Sequence, residues 1–160
     1  MRNLRPALVA LLISSPLMAD DSSSGNEEFQ RCAACHLPTG EGIPGAFPPL
    51  KNRVAALAST PEGRSYLVAV VNVGLMGSIT VDGIPYMGVM PAQGSSYDAQ
   101  GISRVLNYSV QVVDAKNASA DWQPFSAQEV ESLLGSGAAA NGQETMVLRK
   151  VLLAKYPELQ

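Results

Sequence analysis

The chain has 160 residues, 46% of them hydrophobic, and a formal net charge of −3 at pH 7. That is the length of one ordinary domain with apolar material for a core. The acidic balance excludes nucleic acid as a partner, because phosphate binding needs a basic surface.

Arg2 and Arg5 precede an apolar run from Ala7 to about Met18, followed by small Ala19 and acidic Asp20. This is the layout of a secretory signal peptide, residues 1–19. Ser14, Ser15 and Pro16 break the run short of the roughly 20 apolar residues that a membrane span needs. Cleavage leaves nine of the 11 basic residues against all 14 acidic ones, a mature net charge of −5. The expected location is the periplasm, with no stable membrane insertion after cleavage.

Residues 20–25 are polar and Ser/Gly-rich and read as a mobile lead-in. A helix over about Asn26–Cys35 follows, with Glu27 and Glu28 in the first turn, where the helix dipole favours acids. Four prolines and three glycines between Leu37 and Leu50 predict a long loop without regular structure, of the kind that wraps something. Thr60-Pro61-Glu62 opens a helix that ends near Gly74. Ile79–Val81 and Ile84–Tyr86 flank Asp82-Gly83, a tight-turn pair, and predict a small hairpin whose pairing Pro85 limits.

Asp98 caps a helix to about Val113, with Ile102, Val105, Leu106, Ser109 and Val113 along one stripe. A polar linker leads to Ser126-Ala127-Gln128-Glu129, a capping box opening a short helix to Leu134. A last helix, about Gln143 to Tyr156, places Met146, Arg149/Lys150, Leu153 and Tyr156 at helical spacings, with Val147, Leu148, Val151 and Leu152 on the neighbouring face. The fold class is all-α with one small hairpin. The organisation is a signal peptide at 1–19, a core domain at 20–114 and a helical extension at 115–160.

Cys32-Ala33-Ala34-Cys35-His36 is the C-x-x-C-H arrangement of covalent haem attachment. On one helical turn the two thiols project to the same side at the separation of the haem vinyl groups, and the adjacent imidazole reaches the iron. A disulfide or a metal site built on the same residues competes. Dithiol chemistry wants the pair opening a helix after a strand, and a zinc site lacks further ligands: the chain holds two cysteines and one histidine in all.

The second axial ligand is therefore Met, Lys, Tyr or solvent. After the signal the methionines are Met76, Met87, Met90 and Met146, each of which packs well as core filling on its own. Met90 stands in Val89-Met90-Pro91-Ala92, between the hairpin and a capped helix. It lies 54 residues beyond His36, enough chain to reach the far face of the haem. Met87 is its competitor.

Residues 25–114 resemble a class I cytochrome c, in which a C-x-x-C-H helix is followed by a Pro-x-Leu loop, helices, a Met-Pro segment and a packed C-terminal helix. Pro48-Pro49-Leu50 matches the Pro-x-Leu. The resemblance implies that the Pro48 carbonyl accepts the proton of the His36 nitrogen facing away from iron, and that Gly25 and Phe29 cross the C-terminal helix near Tyr108. The stretch Gly77–Pro91, with Val105–Tyr108, is similar to small periplasmic cytochromes serving dehydrogenases. Leu37 departs from the pattern, standing where glycine commonly follows the histidine.

The expected function is a periplasmic single-electron carrier, not an enzyme. It has one covalent haem c ligated by His36 and Met90, and passes electrons between a dehydrogenase and a terminal reductase or oxidase. Two other readings stand beside it: a five-coordinate haem enzyme or sensor, and a cytochrome subunit docked in a larger oxidoreductase complex through residues 115–160.

Overall fold

Helix α1, Asp21–His36, begins earlier than its composition suggests, taking in the Ser/Gly stretch expected to be a mobile lead-in. Ser and Gly are poor helix formers, so tertiary contact decides here. A Cβ added to Gly25 would stand 3.0 Å from both the Arg104 carbonyl oxygen and the Tyr108 Cβ, so two helices cross at this point with no room for a side chain. The computed structural model describes residues 21–160; the predicted signal peptide lies outside them.

After the loop come α2, Val54–Ala58, and α3, Pro61–Val73. The Thr60 hydroxyl accepts from the Gly63 amide at 3.0 Å to start α3, and Gly74, at φ 79°, ends it. The hairpin then forms from β1, Leu75–Val81, and β2, Ile84–Met90, antiparallel and joined by Asp82-Gly83. Both turn residues have positive φ, 52° and 76°, as a type I′ turn requires.

The hairpin is longer than predicted, and Pro85 does not limit it. Val81 and Ile84 flank the two-residue turn as a hydrogen-bonded pair. Bonded and non-bonded pairs then alternate, so Thr80 and Pro85 fall opposite each other where no ladder bond is made.

Helix α4, Ala99–Tyr108, packs along α1, with Phe29 and Tyr108 rings 5.2 Å apart. The predicted helix to Val113 changes character after Tyr108, widening into a π turn over Ser109–Val113. Helices α5, Ala127–Gly135, and α6, Gly142–Lys155, complete the chain. The core gathers Phe29, Val54, Leu57, Tyr66, Leu67, Val68, Ile102, Val105, Leu106 and Val110, joined by Phe125, Val130 and Leu152 from the extension.

The extension thus packs on the domain: α5 against α4 and α3, α6 against α3 and β1. Asn107 grips its start, donating to the Phe125 carbonyl at 3.0 Å and accepting from the Phe125 amide at 2.8 Å. The Ser126 hydroxyl accepts from the Glu129 amide at 3.1 Å, but the Glu129 carboxylate does not close the capping box. It accepts two bonds from Arg64 at 2.6 Å, and the same guanidinium lies 3.7 Å over the Phe125 ring. Helix α6 buries Thr145, Arg149 and Leu152, while Val147 and Val151 of its apolar neighbouring face stay exposed.

Candidate functional site

The last turn of α1 delivers Cys32, Cys35 and His36 together. Both thiols are half-buried and free, so the pair forms no disulfide. Burial is the main reason the Cys32 thiol is pushed up to about 11, which keeps the free thiol protonated.

His36 is buried, and its Nδ1 lies 2.7 Å from the Pro48 carbonyl oxygen. With Nδ1 donating there, Nε2 is the nitrogen left to bind a metal. Burial holds the ring below the usual histidine range, and the Pro48 hydrogen bond offsets this only in part. The neutral, ligating form is therefore favoured.

The loop that carries Pro48 is more ordered internally than its composition suggests. Gly42 donates to the His36 carbonyl at 2.9 Å, Ile43 and Phe47 exchange two bonds at 2.8 Å, and Leu50 and Lys51 both donate to the Gly40 carbonyl. Leu37 begins this turn at φ 66°, so the backbone keeps the left-handed conformation that favours glycine although the side chain is leucine.

Asp114, read from sequence only as the end of the core domain, anchors the far end of the loop. Its buried carboxylate accepts from the backbone amides of Asn52 and Ala55 at 2.7 and 2.9 Å, and from Asn117 Nδ2 at 2.7 Å. It thereby caps α2 from outside that helix. No sequence signal marks this role, because the partners lie some 60 positions apart.

Met90 ends β2 opposite Leu75, half-buried. A Cβ on Gly74 would meet the Met90 carbonyl oxygen at 2.3 Å, so the glycine that ends α3 also lets the Met90 backbone approach. Met87, three positions back, points to the other face of the strand and is 79% exposed. Met76 and Val89 share that outer face, also exposed.

Residues 22–112 match the family model described as Cytochrome c. The chain belongs to the cytochrome c family. One similar protein is a cytochrome c-552 of Thermus thermophilus, 39% identical over 131 residues that cover 81% of this chain and 86% of that one. A second Thermus thermophilus cytochrome c-552 is 41% identical over 112 residues, covering 69% and 84% respectively. A match of 131 residues cannot be contained within the first 114, so the likeness continues into the helical extension.

Membership gives the chain its class I cytochrome c fold, one covalent haem c and a role in electron transfer. The residues present fit that cofactor. Two free thiols and a fixed imidazole are grouped on one helical turn. Ile43 and Phe47 on the loop after His36, and Ile84 on the Met90 side of the hairpin, are large apolar side chains left exposed, the kind of apolar surface that a porphyrin covers. Arg53 Nε is buried without a partner among the described residues, a donor suited to a carboxylate of the cofactor.

Proposed function

We propose that the protein carries single electrons in the periplasm, with Cys32 and Cys35 in thioether linkage to the haem and His36 and Met90 as its axial ligands. The observation that carries this reading is the Pro48 carbonyl 2.7 Å from His36 Nδ1, which commits the ring to presenting Nε2. The haem supplies the one-electron Fe(II)/Fe(III) couple. Met90 contributes a soft thioether, which favours the reduced state and raises the potential, and two protein ligands leave no position for a substrate. Carriage rather than catalysis follows.

The electron donor in this reading is a dehydrogenase and the acceptor a terminal reductase or oxidase. Partners docked by charge present a basic or mixed surface to a mature chain of net charge −5. Among the described residues no helix is long and apolar enough to cross a membrane, which accords with a carrier released after signal cleavage.

Absorption spectra of the oxidised and reduced protein, with carbon monoxide added to the reduced form, test the ligand pair. The wild type and Met87→Ala should show the far-red methionine-to-iron charge-transfer band and resist carbon monoxide. Met90→Ala should lose the band and bind the gas. Rapid carbon monoxide binding by the wild type, without the band, would put Met90 off the iron and favour a ligand-binding haem protein.

A further inference from the structure

Arg149 is an unusual residue to find buried in the extension. Its exposure is 7%, yet among the described residues it makes no ion pair. Its hydrogen bond to the Thr80 carbonyl, from Nη2 at 3.4 Å, is a long one, and its guanidinium stands 5.9 Å from the centre of the buried Tyr66 ring. Neither contact supplies negative charge. Burying a guanidinium without a counter-anion is unfavourable, and an anion brought from outside the polypeptide would relieve it.

A second guanidinium lies at the same end of the hairpin. Arg53 bonds Asp82 in the turn, two residues from Thr80, and the Gln160 carbonyl, while its Nε is buried and unpartnered among the described residues. Asp82 is 67% exposed, so it is a weak counter-charge. Both guanidiniums therefore stand against the turn end of the hairpin, Arg149 at the Thr80 carbonyl and the Tyr66 side chain and Arg53 at Asp82 with its Nε free, at the opposite end from Met90.

Haem c brings two carboxylates, its propionates, on the edge away from the thioether-bearing vinyl positions. We propose that Arg149, from the C-terminal extension, and Arg53 bind the haem propionates, so that residues outside the family-matched 22–112 help to hold the cofactor. The pairing would set both guanidiniums against the acids that the cofactor supplies, Arg53 through its free Nε. It also gives α6 a purpose beyond covering β1. The inference rests on the covalent haem of the family and does not depend on Met90 as ligand.

The test has two arms. In the reduced, diamagnetic wild-type protein, two-dimensional proton spectra should show Overhauser contacts from the Arg149 guanidinium to a propionate methylene. No such contact, with the guanidinium assigned, overturns the proposal and needs no variant to fold. Arg149→Gln should raise the population of Fe(III) and lower the midpoint potential, because a positive charge beside the haem disfavours the oxidised iron, and Arg149→Lys should recover most of the loss. The far-red methionine band, unchanged in both variants, keeps this result separate from the axial ligands. An Arg149→Gln potential equal to wild type, with that band intact, reduces Arg149 to a packing residue and overturns the proposal.

Discussion

Asp114 is the residue whose loss tests the architecture most directly. Asp114→Ala removes the acceptor of three hydrogen bonds at 2.7, 2.9 and 2.7 Å, two of them from backbone amides. Hydrogen bonds to a charged group contribute about 1.5–3 kcal/mol each, and loss of a helix cap alone costs about 1 kcal/mol. Asn117 turns to solvent and recovers its bond, so the loss falls on the Asn52 and Ala55 amides and comes to about 3–4 kcal/mol. For a domain of this size that lowers Tm by roughly 10 °C.

Guanidinium unfolding followed by far-ultraviolet circular dichroism gives the free energy, and the Soret band follows the haem loop in the same sample. Asp114→Asn keeps one carbonyl acceptor and should lose about half as much. An Asp114→Ala variant within about 1 kcal/mol of wild type would refute the claim that this carboxylate caps α2 and pins the loop.

Two further substitutions probe the backbone and the extension. Leu37→Ile adds a β-branch at φ 66° and should destabilise by about 1 kcal/mol in the same unfolding assay, while Leu37→Gly stays within about 0.5 kcal/mol of wild type; equal stability of all three would show that this turn holds no strain. Asn107→Ala orphans the buried amide and carbonyl of Phe125, a loss of about 2–4 kcal/mol. It should open residues 115–126 to limited proteolysis while the haem spectrum stays unchanged, and unaltered protection would mean that the Arg64–Glu129 pair holds the segment without it.

The features legible in the sequence were those written in local chemistry. Thr60-Pro61, Asp82-Gly83 and Ser126 each carry their structural instruction within four residues, and each element starts or turns there. The grouping of Cys32, Cys35 and His36 followed from helical geometry alone. Features decided at a distance were not legible. Helix α2 has five residues and no cap of its own, its capping carboxylate coming from Asp114. The early start of α1 depends on the crossing at Gly25, and the burial of Arg149 in place of Val147 and Val151 depends on which face of α6 meets β1. Pro85 misled because its effect depends on hairpin register, which the turn sets and the residue itself does not reveal.

The contacts that fasten the C-terminal helix span most of the chain: Arg53 to Gln160 across 107 positions, Glu62 to Lys155 across 93, and Glu62 to Tyr156 across 94. Closures over such separations carry the largest entropic cost and come late in folding. A polypeptide emerging from its N-terminus exposes Cys32 and Cys35 long before α6 exists to lie against β1. The face of β1 that α6 covers therefore stays open until the last helix is present and packed, so the hairpin closes last on that side.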